Sequence, residues 1–265
     1  GNVFVTGTTT STNLPKQNPG GGAYYTGTAI AVSDAFILKF NASGVLQWGT
    51  YYGGTWHDAG HSIAIDNINN KLYICGHACA NLPVANTLGA GAYYDGTFGG
   101  GTNFDGFILR FDLSGVREWA TYYGGTGFDD CYDIAIDGAG NIYVTGIFGA
   151  TSTSQPISGG GYQNTHAGGL YDSFVLKLNS SCALVWSTYY GGTGDDRAYS
   201  IATDPLNNVY LTGMTSGNFP IQNRGGAYND ATYNGSTYDA FVVQFTSVGV
   251  LNWSTYYGGG AADVG

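Results

Sequence analysis

TYYGG, at residues 50–54, decides the fold, because the same five residues return three times further along the chain. The later copies lie at residues 121–125, 188–192 and 255–259, so that successive copies start 71, 67 and 67 residues apart. A spacing this long and this regular is typical of a repeated supersecondary unit rather than of a catalytic motif. The sequence between the copies should therefore contain the rest of one structural unit.

Three further segments recur in the same order between the TYYGG copies. DAFILKF begins at Asp34, NVFVTG at Asn2 and SIAID at Ser62. Variants of these three segments begin at Asp105, Asp172 and Asp239, at Asn70, Asn141 and Asn208, and at Asp133 and Ser200. All are short, rich in Val, Ile, Phe, Tyr and Thr, and bounded by turn-forming residues, which predicts β-strands. No window shows a helical period with caps, so the pattern predicts an all-β chain.

Four strands per unit, joined by Gly- and Asn-rich turns and repeated four times, predict a β-propeller of four-stranded antiparallel blades. We name the strands A (SIAID), B (NVFVTG), C (DAFILKF) and D, which ends in TYYGG. One tryptophan recurs in every strand D, and this regularity favours packing between blades over ligand stacking. These residues are Trp48, Trp119, Trp186 and Trp253. TYYGG is then the corner that leads from one blade to the next.

The repeats divide the chain into four blades of unequal completeness. Blade one, residues 1–54, begins at strand B and has no strand A. The complete blades two, three and four span residues 61–125, 131–192 and 198–259, and residues 260–265 lead towards a further strand A. Because an open edge of unpaired strand groups is a liability, we expect the chain to be a segment of a larger propeller or array.

The composition limits the partners that the chain can take. Its net charge is −10 and it has only eight Lys and Arg, which makes it a poor ligand for nucleic acid or for anionic lipid. No apolar run approaches the roughly 18 residues of a membrane span, so no membrane span is expected. The repeats instead predict contacts with neighbouring repeats of the same or a longer chain.

At these motifs the chain resembles the bacterial β-propeller repeat family known as SBBP repeats. The resemblance lies in GNVFVTG, in NLP at Asn13 and Asn81 or NFP at Asn218, in GGAYY or GGAYN, and in residues 48–66. It covers essentially the whole chain, four times, and departs from the pattern at residues 154–156, where the loop of blade three is altered and lengthened. The resemblance implies a secreted or surface-attached bacterial protein, hence an extracellular or cell-surface location, and it implies no shared catalytic residues.

Long B–C loops, which connect strands B and C over more than twenty residues, are the first candidate for a binding surface. Loops of this length are usually functional or flexible, and these are rich in Tyr, Asn, Gly, Thr and Ser, as adaptable binding loops are. Together with the D–A corners they should form one face of the propeller. The aromatic candidates for ligand contact are Tyr24, Tyr25, Tyr93, Tyr94, Tyr162 and Tyr228. The alternative is that the loops only cap the ring and pack on one another, because GGAYY itself recurs.

Aspartates recur at the corners between each strand D and the next strand A. They are Asp58, Asp129, Asp130, Asp195, Asp196 and Asp263. If these residues converge near the mouth of the channel, their carboxylates are suitable ligands for Ca²⁺. The alternative is that each side chain accepts a hydrogen bond from the backbone of its own turn. No calcium-loop motif is present, so the sequence predicts no obligatory cofactor, and Ca²⁺ binding by these aspartates stays a hypothesis.

Blade two carries a group of residues that the other blades lack, and all of them should lie on the loop face. They are Trp56, His57, His61, Cys75, His77 and Cys79. The Cys and His residues are suitable Zn²⁺ ligands, although their spacing fits no standard signature, and a disulfide or packed thiols are the alternatives. Trp56 is a candidate for ligand stacking, with His57 and Asp58 beside it.

These observations predict a non-catalytic repeat protein, a structural or adhesive scaffold whose loop face contacts protein or glycan. No nucleophile elbow, phosphate-binding loop or zinc-protease motif is present in the sequence. The first alternative is a glycan-active enzyme or a lectin with its site on the loop face of blade two. The second alternative is a module stabilised by Ca²⁺.

Overall fold

A computed structural model describes residues 1–153 and 155–265, so the sequence change that begins at Ser154 starts outside the described residues. The described part contains sixteen β-strands and no helix, and thus no helix long and apolar enough to cross a membrane. In chain order the strands are β1 Val3–Thr9, β2 Asp34–Phe40, β3 Leu46–Tyr52, β4 Ala59–Asp66, β5 Lys71–Ala78, β6 Ala85–Asn86, β7 Asp105–Asp112, β8 Arg117–Tyr123, β9 Asp129–Ile136, β10 Ile142–Gly149, β11 Tyr171–Leu178, β12 Leu184–Tyr190, β13 Asp196–Thr203, β14 Val209–Thr215, β15 Asp239–Phe245 and β16 Leu251–Tyr257.

The strands form four antiparallel sheets, one for each blade. Blade one contains β1–β3, blade two β4, β5, β7 and β8, blade three β9–β12 and blade four β13–β16. The short strand β6 pairs with the outer edge of β8. Strand A of each complete blade contacts strand A of the next, β4 with β9 and β9 with β13, as the innermost strands of a propeller do. The predicted all-β propeller fold is confirmed.

Three apolar clusters hold the blades together, and each is made by two successive blades. Between blades one and two, Trp48 and Tyr52 pack with Phe107 and Phe111. Trp119 and Trp186 occupy the same place at the next two interfaces, and all three tryptophans are buried. Full burial of one large apolar side chain stabilises a fold by roughly 1.5–3 kcal/mol. The predicted role of the strand D tryptophan in blade packing is therefore confirmed at these interfaces.

The first half of TYYGG fastens the B–C loop of its own blade. The hydroxyl oxygen of Thr50 accepts a hydrogen bond from the amide of Thr26 at 2.8 Å, on the returning arm of the loop. The hydroxyl of Tyr51 donates to the carbonyl of Ser11 at 2.7 Å, on the outgoing arm. Equivalent threonine contacts form in the other three blades, at Thr121, Thr188 and Thr255. The motif recurs because each blade must hold a long loop in the same way.

The second half of TYYGG reaches the next blade. The hydroxyl of Tyr52 donates to the carbonyl of Pro83 in blade two at 2.7 Å. A Cβ atom at Gly54 would stand only 2.2 Å from the carbonyl oxygen of Ala80. Gly54 is therefore required by the close approach of the neighbouring loop, and TYYGG is a blade-to-blade corner as well as a loop clamp.

The B–C loops do not stand up from one face, contrary to the expectation from the sequence. Each loop leaves that face, runs along the outer edge of strand D and returns; Gln17 bridges to Gly49, and β6 pairs with β8. The tip reaches the C–D turn of the next blade, where the amide of Tyr24 donates to the carbonyl of Gly115 at 2.9 Å. The physical reason is that strand D is an edge strand, whose unpaired backbone groups the loop covers. The capping alternative therefore describes most of each loop.

Candidate functional site

A pair of aspartates occupies each blade corner, and all of them except the half-buried Asp263 are buried. One member is the predicted corner residue and the other is the first residue of strand C, which the sequence analysis did not select. The four pairs are Asp34 with Asp58, Asp105 with Asp129, Asp172 with Asp196, and Asp239 with Asp263. In the first pair, a Cβ at Gly53 would stand 2.5 Å from Asp58 Oδ2 and 2.7 Å from Asp34 Oδ1. The aspartate that begins every DAFILKF variant was the signal that could have revealed the second member.

The corner residues accept hydrogen bonds from their own turns, as the structural alternative predicted. Asp58 Oδ2 accepts from the amide of Gly54 at 2.8 Å, and Asp196 Oδ2 accepts from that of Gly192 at 2.7 Å. In each pair, by contrast, Oδ1 of the strand C aspartate is buried without a hydrogen-bond partner. Burial raises the pKa of the carboxyl groups to about 7 at Asp58 and to about 8 at Asp172. The corners that contain Asp58, Asp129 and Asp196 are thus poised to hold a proton between two carboxylates.

The six predicted calcium ligands do not converge at one channel mouth. Asp58, Asp129, Asp196 and Asp263 are distributed over four separate corners, one in each pair. Asp195 lies on the surface of its turn, where its carboxylate accepts from the amide of Leu170. Asp130 points elsewhere, towards two histidines of blade two. A single site made by these aspartates, as the sequence suggested, is therefore wrong.

His61, His77 and Asp130 form a compact group of potential metal ligands across the interface of blades two and three. The Nδ1 atom of His77 lies 3.0 Å from His61 Nε2 and 3.0 Å from Asp130 Oδ2. His61 Nε2 lies 3.3 Å from Asp130 Oδ1. Although burial opposes ionisation, the two imidazoles beside it hold the pKa of Asp130 below its usual range. The carboxylate is therefore ionised in neutral solution.

Local strand geometry explains how the three side chains meet. His61 is the extra residue of a β-bulge in β4, because Gly60 pairs with Gly76 and Ser62 with Cys75. A bulge turns its extra side chain away from the regular alternation of the strand. His77 lies near the end of β5 and Asp130 near the start of β9. Since neighbouring strands are antiparallel, both residues lie at the same end of the strands in their sheets.

The cysteines of blade two do not take part in this group. Cys75 is fully buried and Cys79 is partly buried, and both thiols are free, as are Cys131 and Cys182. Among the described residues, the groups of three or more ligating side chains include neither of the blade-two thiols. Of the residues in the zinc hypothesis, His61 and His77 are neighbours, and the third potential ligand is Asp130 of the adjoining blade. Cys75 is a packed thiol, as the alternative predicted.

Trp56 and His57 line a cavity of about 320 Å³ between the corner that follows blade one and the loop of blade two. The indole of Trp56 is 69% exposed, and its backbone has φ of 80°, a region that bulky residues rarely adopt. Other walls come from the loop side of blade two: Thr55, Cys79, Ala80, Phe98, Gly101, Thr102, Asn103 and Phe104. His57 is positioned by Ser33, whose hydroxyl lies 3.1 Å from Nδ1. Asp58 lies behind the cavity, buried in its corner pair.

The predicted tyrosine contacts are not part of this cavity. Tyr24 and Tyr93 are half-buried at blade interfaces, where they pack on Tyr52 and Tyr123. The other four are exposed around the outer rim: Tyr25, Tyr94, Tyr162 and Tyr228. The structure therefore assigns Tyr24 and Tyr93 to packing, because each loop tip docks on the next blade.

The architecture defines a β-propeller repeat protein, and comparison with known proteins agrees. Residues 118–146 and 185–220 match the SBBP β-propeller repeat. Both matched parts include TYYGG and run from strand D of one blade into strand B of the next or just beyond. These two parts of the chain are therefore SBBP β-propeller repeats.

A viral relative shares most of the length of this chain. An uncharacterized WD repeat-containing protein of Acanthamoeba polyphaga mimivirus, L264, is 25% identical over 236 residues. The match covers 80% of this chain and 16% of the relative. The chain thus spans about a sixth of the length of that relative.

Proposed function

We propose that this chain is a non-catalytic binding scaffold of the cell exterior, whose loop face contacts a protein or a glycan. The observation that carries the proposal is the exposed Trp56 at the cavity of blade two. An indole that is 69% exposed on a strained backbone contributes little to the fold. Strained positions of this kind cluster at binding sites, where the surrounding structure holds them in place.

The cavity has the composition of a small recognition site. Its aromatic walls, Trp56, Phe98 and Phe104, supply flat apolar surfaces. Thr102 and Asn103 supply polar groups at its margin, which suit hydroxyl or amide groups of a ligand. Pockets of this kind, mostly apolar with few polar groups, are the usual form of ligand sites. The blade-two cavity is therefore the centre of the proposed loop-face contact.

The same lining favours binding over hydrolysis. Glycosidases generally need two carboxyl groups about 5–10 Å apart on either side of the scissile bond. The residues that line the cavity include no carboxylate. Asp58, the nearest candidate, accepts hydrogen bonds from the amides of Gly54 and Cys79 and is fully buried. If the cavity were the active site of a glycosidase, His57→Ala or Asp58→Ala would abolish glycan hydrolysis. We expect no glycan hydrolysis by the wild type.

Replacing Trp56 by alanine should weaken binding by about tenfold or more, because a buried aromatic anchor contributes more than 1.4 kcal/mol in many interfaces. The measurement is a glycan array and an extracellular-protein array, followed by calorimetric titration of the strongest ligand. Tyr228→Ala is the matched control, since Tyr228 is 60% exposed on the rim, away from the cavity. Equal loss in both variants, or no loss in Trp56→Ala, would exclude the cavity as the binding centre.

A module stabilised by Ca²⁺ is the second candidate, favoured by the unpartnered Oδ1 atoms in the four corners. One proton shared between the two carboxylates satisfies the same atoms without an ion. We therefore expect the melting temperature to be equal in millimolar Ca²⁺ and in EGTA at neutral pH. A higher melting temperature in Ca²⁺ would favour cation binding at the corners instead.

A further inference from the structure

We propose that His61, His77 and Asp130 bind one divalent transition-metal ion, with Zn²⁺ as the best match, between blades two and three. The three ligand atoms lie within 4.8 Å of one another. Imidazole nitrogen and carboxylate oxygen are common Zn²⁺ ligands, at about 2.0–2.2 Å from the ion. Two histidines and one carboxylate on one side of an ion are a recurrent arrangement for divalent metals.

The distances fit ligands around a common ion. Two atoms that each lie about 2.1 Å from an ion are about 3.0 Å apart at right angles and about 3.4 Å apart at the tetrahedral angle typical of Zn²⁺. His77 Nδ1 is 3.0 Å from both His61 Nε2 and Asp130 Oδ2, and His61 Nε2 is 3.3 Å from the second carboxylate oxygen, Oδ1. The two ring nitrogens and the carboxylate thus cap one side of a single point.

Hydrogen bonds alone account poorly for this contact. A ring nitrogen carries either one proton or one lone pair, so it can donate one strong hydrogen bond or accept one. Yet His77 Nδ1 faces a nitrogen and a carboxylate oxygen at the same distance. Asp130 is only 3% exposed, and its Oδ1 has no hydrogen-bond partner. An ion resolves both features, because all three residues then direct lone pairs towards it.

The repeat shows that the fold does not require these three residues. At the position of His77, blades three and four carry Ile147 and Met214. Blades two and four carry Ala59 and Arg197 at the position of Asp130. The bulge position of His61 is Tyr132 in blade three and Tyr199 in blade four. Three independent departures from the repeat therefore meet at one point, which a purely structural origin does not explain.

The surroundings leave one side of the site accessible. The side chain of His61 is 30% exposed, whereas that of His77 is 17% exposed and stacks on Phe104 with ring centroids 4.4 Å apart. Phe104 also lines the blade-two cavity, so one aromatic ring borders both the cavity and the histidine group. Three protein ligands leave at least one position for water or for an oxygen atom of a ligand, as in other open zinc sites.

Calorimetric titration of chelator-treated protein with ZnCl₂ tests the proposal. We expect one Zn²⁺ per chain and a higher melting temperature in its presence, because only the folded chain brings the three ligands together. His77→Ala and His61→Ala should each bind about 100-fold more weakly, since even the loss of an outer-shell partner weakens metal sites by 10–100-fold. His61→Ala removes a partly exposed side chain, so it should fold even if variants of buried Asp130 do not.

His166→Ala is the matched control, because it removes a histidine that belongs neither to the group nor to the blade-two cavity. It should retain the wild-type affinity and stoichiometry. The proposal is overturned if the wild type shows neither heat nor a melting shift with Zn²⁺, Co²⁺ or Ni²⁺. It is equally overturned if all three histidine variants lose the same fraction of binding, since that result would indicate weak surface coordination.

Discussion

Replacing Gly213 by alanine is expected to destabilise the chain by more than about 4 kcal/mol or to prevent blade four from folding. A Cβ at this position would stand 1.9 Å from the carbonyl oxygen of Arg197. The obstacle is backbone of the neighbouring strand, which cannot move aside as a side chain can. For a chain of this size, the loss corresponds to a fall in melting temperature of about 10 °C or more.

The clash arises from the bulge in strand A, so it recurs in every complete blade. In blade four the register between β13 and β14 shifts between Ala198 and Ser200, next to the pair that includes Gly213. At Gly76 and Gly146 a Cβ would likewise stand 1.9 Å from a carbonyl oxygen of strand A. The glycine in strand B of each complete blade is thus required by the bulge in strand A, which lies at Tyr199 in blade four.

Thermal unfolding followed by circular dichroism, for three alanine variants, checks this reasoning. Gly7→Ala occupies the same position in blade one, where the nearest atoms are the ring carbons of Phe36, which can shift. We expect a smaller loss there, about 1 kcal/mol. Gly91→Ala, with no atom within 4 Å, should change stability by less than about 0.5 kcal/mol. Equal losses at Gly213 and Gly91 would mean that the bulge is not the cause.

The repeat made the architecture predictable, because strands B, C and D each occur four times and strand A three times, so that an ambiguous copy can be interpreted from the others. TYYGG forms the predicted corner between blades, and the strand D tryptophan packs at the three blade interfaces as its position predicts. The path of the B–C loop was not predictable in the same way. Its docking on the edge of strand D depends on hydrogen bonds such as those of Thr50 and Tyr51, which no periodicity in the sequence indicates.

The candidate site was only half visible in the sequence. His61 and His77 stood out because the other blades lack them. Asp130 lies 53 residues beyond His77 and was grouped with the corner acids, since it follows Asp129 directly. The packing of β9 against β4 and β5 gives Asp129 and Asp130 different surroundings. The carboxylate of Asp129 belongs to the corner pair, and that of Asp130 faces the histidines. Contacts between blades are long-range in sequence, so a motif within one repeat cannot show them.

Stability is expected to fall as the pH rises from 5.5 to 8.5 in the presence of a chelator. Burial raises the pKa of the corner carboxyls to about 7 at Asp58, Asp105 and Asp196, about 6 at Asp129 and about 8 at Asp172. In the unfolded chain these groups titrate near pH 3.9. The folded state therefore holds more protons between these values, and its stability decreases as pH rises through the folded pKa range. His166 has the opposite effect on stability, because burial lowers the pKa of its imidazole, but the five carboxyl groups outweigh this single histidine.

Asp172→Asn should flatten this dependence and raise stability at pH 8.5 by at least about 1.4 kcal/mol, the equivalent of one pKa unit. The amide keeps the shape of the side chain and can donate to Asp196, whereas two ionised carboxylates repel each other. Asp137→Asn is the control of opposite sign. Asp137 accepts hydrogen bonds from Asn141 and Tyr143, and although its burial opposes this, its pKa is lowered.

The Asp137→Asn control should lose stability at pH 8.5 and keep the wild-type pH dependence, because its own carboxyl titrates below the measured range. Chemical denaturation at pH 5.5 and 8.5 separates the two variants. If Asp172→Asn is instead less stable than the wild type at pH 8.5 in EGTA, the two corner carboxylates do not share a proton. Their negative charge is then stabilised by the protein itself, and the pairs become candidates for cation binding after all.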